Sequence, residues 1–213
     1  LYQCQWHMEE IDEIIFYESP KSKMNRLFDQ VIWGWPHTRE LYNNFIPQFF
    51  ASKYDVERII RSNFSYNGKV SFVDHHLAHA ASAYLTSPFD EALILTADGV
   101  GEYETTTIAY GRGCEIEKAA AIHFPDSLGL FYSVFTHYLG FEVNEGEYKV
   151  MGLAPYGTPK YLDKIMSDIL ILHDDGAFHL DQRFFDFSNA EQHFRDCLVD
   201  RIGLIPRKKE GTM

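Results

Sequence analysis

The sequence has few cysteines, a shortage of basic residues and no long hydrophobic run. Three cysteines are spread over 213 residues without a CxxC pair, which argues against a disulfide framework and favours a reducing compartment. Lys and Arg number 19 against 31 Asp and Glu, for a formal net charge of −12, so we expect no nucleic-acid partner. Since no apolar stretch reaches membrane-spanning length, we expect no membrane partner and a cytoplasmic location.

Two further absences narrow the class of protein. The GxSxG motif of serine hydrolases is missing, so a nucleophilic serine has no support. An initiating methionine is also missing: the chain begins at Leu1 and soon reaches a strand-like run at 14–17, so we expect a piece of a longer protein. Aromatic residues are abundant, with 17 Phe and 13 Tyr, and the chain is long enough for a sizeable core.

Apolar spacing along the chain predicts an α/β protein with a mixed sheet and flanking helices. Short apolar runs predict buried strands at 11–20 and 91–99, a short strand at 69–73, and a hairpin over 104–124. Apolar residues at helical spacing predict two or three helices within 21–65 and one each within 75–85, 127–141, 159–172 and 190–203. Alternation of strands with helices is typical of the α/β and α+β classes.

The stretch VDHHLAHAASAYL, residues 73–85, places three histidines within five positions. On a helix, His75 and His79 share one face, so their imidazoles can bind one metal ion. His76 is rotated about 100° away from them and cannot easily join the same site. The alternative is a helix start whose histidines are satisfied by backbone groups, and the HxxxH spacing alone does not separate the two.

The stretch LILTADGVGEYETT, residues 93–106, ends a strand in a glycine-rich turn. Gly99 and Gly101 would let the backbone approach an anion, and backbone N–H groups there can bind phosphate oxygens. Asp98, at the strand end, can hold a metal ion or its water. The alternative is a tight hairpin turn that simply requires glycine.

The stretch NEGEYKVMGLAPYG, residues 144–157, places charged residues ahead of another glycine-rich turn. A carboxylate here, that of Glu145 or of Glu147, could accept hydrogen bonds from ribose hydroxyls, and Lys149 could contact a phosphate or pair with an acid. The alternative is a solvated helix start capped by Asn144. His137 lies in an apolar helix, where we expect a core or interface residue.

Taken in order, HHLAHAASAY, SPFDEALILTADGVGE, HFPDSLGLFYSVFTHYLGF and GEYKVMGLAPYG resemble the N-terminal domain of the NodU/CmcH carbamoyltransferase family, most strongly over 70–160. The resemblance implies the actin and sugar-kinase type of fold, which is ribonuclease H-like and shared with the tRNA threonylcarbamoyladenosine synthase subunit and HypF. The chain would then be an incomplete domain. Its parts would be a strand and helical insertion at 1–68, a motif-bearing core at 69–158 and a helical or irregular segment at 159–213.

The resemblance also implies an activity. In the family, a second, YrdC-like domain converts carbamoyl phosphate and ATP into carbamoyl adenylate and pyrophosphate. The carbamoyl group then passes to a hydroxyl of an acceptor in the N-terminal domain. By this resemblance His75 and His79 are ligands of a divalent metal ion, with Fe²⁺ expected. His76 would then serve as a base or a hydrogen-bond donor.

The family pattern further assigns residues to the nucleotide, ATP or carbamoyl adenylate. The Asp98–Glu102 stretch corresponds to the loop around the phosphates, and the GEYKVMG stretch corresponds to the segment near the ribose. The implied nucleotide contacts are Asp98, Gly99, Gly101, Glu102, Glu147 and Lys149.

The chain also departs from the family pattern. The first phosphate motif would lie before Leu1, the third metal ligand, an aspartate, would lie beyond Met213, and the YrdC-like domain is missing. We therefore expect the isolated chain to be inactive. Two other functions remain open: a kinase-like ATPase of the same fold and a non-catalytic nucleotide-binding scaffold. No residue selects an acceptor, and the aromatic residues of 21–65 fit either an acceptor groove or ordinary core packing.

Overall fold

The computed structural model describes residues 6–189 and 192–208 as a mixed α/β structure, which confirms the class expected from the sequence. The strands are β1 (Glu13–Phe16), β2 (Lys69–Phe72), β3 (Glu91–Ala97), β4 (Glu104–Arg112), β5 (Glu115–His123), β6 (Leu170–Leu172) and β7 (Phe178–Leu180). The helices are α1 (Pro20–Gly34), α2 (Ile46–Phe49), α3 (Val56–Phe64), α4 (His75–Tyr84), α5 (Leu128–Tyr138), α6 (Glu147–Leu153), α7 (Leu162–Asp168) and α8 (Asp196–Ile202). Single π-helical turns flank α2 on both sides.

The described strands form three separate sheets, where the sequence predicted a mixed sheet. β1 and β2 are parallel, with Glu13 opposite Lys69 and Phe16 opposite Phe72. The helices between them supply the crossover that a parallel pair requires. β3, β4 and β5 form a three-stranded sheet in that order, and β6 and β7 form an antiparallel hairpin.

The described chain divides into two compact units. The first unit comprises 6–96, 101–103 and 108–119. The second unit comprises 97–100, 104–107, 120–189 and 192–208. The three neighbouring histidines therefore belong to the first unit, and the GEYKVMG segment belongs to the second.

Three small apolar clusters form the interior of the first unit. In one of them, Ala80 and Tyr84 of α4 pack against Ile94 of β3 and Ala109 of β4. A Cβ at Gly111 of β4 would lie only 2.6 Å from the Tyr84 ring, so the strand approaches the helix closely there. Small residues on one face of α4 therefore allow this histidine-bearing helix to pack closely against β3 and β4.

One larger apolar cluster forms the interior of the second unit. Val134 of α5, Leu198 of α8 and Ile169 have no exposed surface, and Phe185 and Phe194 pack into the same cluster. Each such side chain contributes about 1.5–3 kcal/mol on burial. The cluster therefore holds α5 together with a segment more than forty residues downstream.

Two predicted elements differ from the structure. The helix predicted over 159–172 ends as α7 at Asp168, and Leu170–Leu172 form β6 because this apolar run pairs with β7. A short apolar run is compatible with either element. β3, predicted as a buried strand, instead exposes Leu93 and Leu95 on one side. Of the helices described, none is both long and apolar enough to cross a membrane.

Candidate active site

Helix α4 in the first unit carries the three neighbouring histidines. Asp74 caps its start, since the carboxylate accepts a hydrogen bond of 3.4 Å from the N–H of Leu77. His75 and His79 lie one turn apart, and their Nε2 atoms are 3.1 Å from each other. The structure therefore brings the two predicted metal-binding side chains together, as their spacing indicates.

The two imidazoles suit a single divalent metal ion. Metal–nitrogen bonds of about 2.0–2.1 Å place two ligands of one ion roughly 3 Å apart when they meet near a right angle. The Nε2–Nε2 separation of 3.1 Å between His75 and His79 matches that value. Imidazole suits iron as well as zinc, copper and nickel. His79 is exposed, so an ion can reach the pair from solvent.

His76 occupies a different environment from its two neighbours. Its side chain is 1% exposed, and its Nδ1 lies 2.6 Å from the hydroxyl of Thr96, a buried residue of β3. A base that exchanges a proton with a substrate must contact that substrate. The burial of His76 therefore favours a supporting role over the catalytic role predicted from the sequence.

Gly101 and Glu102 support the start of the histidine helix. A Cβ at Gly101 would lie 3.0 Å from the Cβ of His75 and 3.2 Å from Cδ2 of His76. Glu102 is 6% exposed; its Oε1 accepts a hydrogen bond of 2.6 Å from the N–H of Ser19, and its Oε2 accepts one of 3.2 Å from the N–H of His75. One carboxylate thus accepts from a main-chain N–H group at the start of α1 and from another at the start of α4, a favourable place for negative charge.

Tyr103 extends this support towards α1. Its hydroxyl donates a hydrogen bond of 2.6 Å to Oδ2 of Asp29. Burial, and then this bond to Asp29, raise the pKa of Tyr103 to about 12. Tyr103 therefore remains a neutral donor across the ordinary pH range.

Asp98 and Gly99 belong to the second unit and lie against the start of α5. The N–H of Gly99 lies 2.6 Å from Oδ1 of Asp98. The hydroxyl of Ser127, which caps α5, lies 2.6 Å from the carbonyl oxygen of Gly99. A Cβ at Gly129 would lie 2.5 Å from main-chain atoms of this turn, so only glycine allows the approach. The glycine-rich turn is thus fixed by α5.

Glu147 and Lys149 lie at the start of α6, also in the second unit. The Glu147 carboxylate accepts hydrogen bonds from the N–H of Asn144 at 3.0 Å and from the N–H of Gly146 at 3.2 Å. Lys149 places its Nζ over the Phe141 ring, 5.6 Å from the centroid. The structure therefore anchors Glu147 through its own loop and directs Lys149 towards an aromatic ring.

A cavity of about 790 Å³ lies within the second unit. It brings together three predicted nucleotide contacts, Asp98, Gly99 and Glu147. The other three, Gly101, Glu102 and Lys149, do not line it.

The cavity also contains residues that sequence reasoning missed, namely His137, Glu142, Phe187 and His193. His137 was expected to be a core or interface residue, yet it forms part of the wall. One signal could have found it: Gly129, Ser133 and His137 recur every four residues along α5, and all three line the cavity.

Nearly the whole length of this chain is similar to known proteins. The family model described as Carbamoyltransferase N-terminus matches residues 2–204. The uncharacterized protein sll1178 of Synechocystis sp. is 37% identical over 97% of this chain and 35% of its own length. Nodulation protein NolNO of Sinorhizobium fredii is 34% identical over 81% of this chain and 24% of its own length.

A further relative, nodulation protein NolO of Bradyrhizobium diazoefficiens, is 38% identical over 52% of this chain and 20% of its own length. The chain thus spans about a third or less of the curated relatives that it matches. The family match confirms the resemblance found in the sequence motifs. The chain belongs to the carbamoyltransferase N-terminus family.

Proposed function

We propose that this chain is part of an O-carbamoyltransferase that moves a carbamoyl group from carbamoyl adenylate to a hydroxyl of an acceptor. The observation that carries the proposal is the facing pair His75 and His79, with Nε2 atoms 3.1 Å apart, in a chain of the carbamoyltransferase N-terminus family. Carbamoyl phosphate and ATP would supply the carbamoyl adenylate, and pyrophosphate would be released.

His75 and His79 would hold the divalent metal ion of this enzyme, and we propose Fe²⁺. When bound, such an ion supplies Lewis acidity that polarises a carbonyl or phosphoryl oxygen. The chain contributes the orientation of the two imidazoles. Glu102 and Gly101 fix the first turn of α4, and the bond between His76 and Thr96 fixes its inner face.

The nucleotide contacts proposed from the sequence divide into two groups. Asp98, Gly99 and Glu147 line the cavity of the second unit, which supports a direct role for them. Lys149 lies nearby in α6 and remains a proposed phosphate contact. Gly101 and Glu102 hold α4 in place, so any contribution of theirs to nucleotide binding acts through that helix.

The remaining parts of the proposal concern the whole protein. We propose that this chain is an incomplete N-terminal domain of the actin and sugar-kinase type and that a YrdC-like domain completes the enzyme. We also propose that the enzyme acts on small molecules in the cytoplasm. The mixed α/β structure is compatible with that type of fold, and the coverage of 35% or less of the curated relatives supports an incomplete domain.

The decisive experiment uses the full-length protein with ATP and carbamoyl phosphate and identifies the nucleotide product. AMP together with pyrophosphate is expected. ADP would instead support a kinase-like ATPase, and no turnover dependent on carbamoyl phosphate would contradict the proposal.

A second experiment separates the enzyme from a non-catalytic scaffold. Replacing His75 and His79 with alanine should abolish carbamoyl transfer and weaken Fe²⁺ binding, measured by equilibrium dialysis, while the circular dichroism spectrum stays unchanged. The matched control is His123→Ala, which removes an exposed imidazole from the other unit. If only thermal stability changes in the double variant, the scaffold is the better description.

A further inference from the structure

The β6–β7 hairpin of the second unit carries two histidines that the proposed function does not use. Nε2 of His173 lies 2.8 Å from Nδ1 of His179, and the two rings are stacked with 4.9 Å between their centroids. We propose that these two nitrogens bind a divalent transition-metal ion with right-angled coordination, Ni²⁺ or Cu²⁺. The inference is independent of carbamoyl transfer and of the pair His75 and His79.

The strand register places both imidazoles on one face of the hairpin. β6 and β7 are antiparallel, with Ile171 opposite His179. The ladder continues by one step, because the N–H of His173 donates to the carbonyl oxygen of Ala177 at 2.8 Å. Residues two apart on a strand share a face, so His173 and His179 are diagonal neighbours across the hairpin. Aromatic and long side chains can bridge that diagonal separation.

The opposite face of the hairpin fixes the main chain that carries the imidazoles. Leu170, Phe178 and Leu180 are buried in the apolar cluster of the second unit. The N–H of Leu180 also donates to Oδ1 of Asp126 at 2.7 Å. Because packing already holds the two strands, binding of an ion has to order only two side chains. A site that is preorganised in this way loses less entropy on binding.

The distance between the two nitrogens suits two ligands of one ion. Metal–nitrogen bonds of about 2.0–2.1 Å place ligands about 2.8–3.0 Å apart when they meet at a right angle, and about 3.3 Å apart around a tetrahedral ion. The separation of 2.8 Å between His173 and His179 matches the right angle. Square-planar and tetragonal coordination is typical of Ni²⁺ and Cu²⁺, for which imidazole is a suitable ligand. The geometry therefore favours these ions over Zn²⁺.

The surroundings of the pair allow an ion to enter from solvent. His173 is exposed, and Asp174 and Asp175 are exposed in the turn that joins the two strands. Their negative charge favours the approach of a cation. Within the described ranges, no third histidine, cysteine, aspartate or glutamate lies close enough to both nitrogens to join them. Water would therefore occupy the remaining coordination positions of the ion.

A hydrogen bond between the two rings is the alternative interpretation of the same contact. In that bond one imidazole donates and the other accepts, whereas a metal ion needs a lone pair from both nitrogens. Glutamine can take part in a hydrogen bond through its amide, but an amide is a poor ligand for Ni²⁺ and Cu²⁺. Replacing either histidine by glutamine therefore separates the two interpretations.

Hydrogen exchange in the full-length protein, prepared without a histidine tag, tests the site locally. An ion that binds the closed hairpin and is released when it opens slows the exchange of its amides. Titration with Ni²⁺ should slow exchange in a peptide covering 170–180 by about tenfold when the ion exceeds its dissociation constant by that factor. His173→Gln and His179→Gln should each abolish the slowing. His123→Gln, which removes an exposed imidazole of the same unit, should leave it unchanged.

Three results of this titration would overturn the inference. Exchange in the hairpin that does not respond to Ni²⁺ would leave only the hydrogen bond. Slowing that persists in either glutamine variant would place the ion at other residues. Slowing by Zn²⁺ at lower concentrations than by Ni²⁺ would contradict right-angled coordination. Exchange in Ni²⁺-free buffer shows that each variant is folded, and no readout depends on carbamoyl transfer, so failure here is distinct from failure of the proposed function.

Copper gives a spectroscopic check on the ligands. The full-length protein with His75→Ala and His79→Ala is used, so that this other pair does not compete for the ion. With less Cu²⁺ than protein, the electron paramagnetic resonance spectrum should show tetragonal Cu²⁺ with nitrogen ligands. His179→Gln in the same background should remove that signal. An identical spectrum in this variant would exclude the hairpin as the copper site.

Discussion

Glu102 is a buried side chain that forms hydrogen bonds at the starts of two helices. Its two carboxylate oxygens accept from main-chain N–H groups at the starts of two helices, α1 and α4. Charge-assisted bonds of this kind are stronger than neutral ones, and a helix start favours an anion. Because His75 is the first residue of α4, the position of a proposed metal ligand depends on Glu102.

We expect Glu102→Gln to lower the free energy of unfolding by about 1–3 kcal/mol, because the amide nitrogen would face an N–H donor and leave it unsatisfied. Urea unfolding of the chain measures the change. Glu117→Gln is the matched control, since Glu117 is exposed on β5. An effect no larger than that of the control would contradict a stabilising role for the two bonds to Glu102.

The pKa of Tyr103, raised to about 12, predicts a stability change at high pH. The unfolded tyrosine loses its proton near pH 10, whereas the folded one retains it until about pH 12. Folding is therefore favoured by the neutral phenol below pH 10, and this contribution is lost as the pH rises through 12. Urea unfolding between pH 10 and 12 should show that the free energy of unfolding falls more steeply with pH for the native chain than for Tyr103→Phe. An equal dependence on pH for the two chains would contradict the raised pKa.

At the scale of elements, α5 determines the shape of the cavity wall in the second unit. Its first turn lies against the glycine-rich turn through Gly129, and its later residues reach the cavity through Ser133 and His137. The helix is anchored by the fully buried Val134 on another side. A single helix therefore fixes the turn and one wall together.

Two glycine substitutions test this packing. Gly129→Ala should destabilise the chain by about 1–3 kcal/mol, because its Cβ would lie 2.5 Å from main-chain atoms that cannot rotate away. Gly152→Ala in α6 is the contrast: a Cβ there meets no atom within 4 Å, so better helix propensity should stabilise by up to about 1 kcal/mol. Thermal unfolding compares the two, and equal effects would contradict the close approach.

Local patterns predicted the elements that depend on local interactions. Helix α4 and the meeting of His75 with His79 follow from a four-residue spacing. The partner of Glu102 at Ser19 lies 83 residues away, so spacing gives no hint of it. The cavity needs Phe187 and His193 beside α5, a juxtaposition produced by burial of the apolar cluster and visible only in the folded chain.

At the scale of the whole molecule, the chain covers 35% of the relative sll1178 and less of the two nodulation proteins. The proposed activity needs a carbamoyl donor made in a further domain. We therefore expect the isolated chain to release no AMP from ATP and carbamoyl phosphate, whereas the full-length protein does. Turnover by the isolated chain at a comparable rate would contradict this division of labour.

The bonds to Glu102 have a consequence for how the sequence can drift. Both donors are main-chain N–H groups, which every residue except proline provides. Position 19 can therefore exchange its side chain over evolution without losing the bond to the carboxylate. Position 102 cannot change in the same way, because both bonds need the two oxygens of a carboxylate on a side chain as long as that of glutamate. Natural selection for this contact would therefore act on the side chain at position 102 and not on the side chain at position 19.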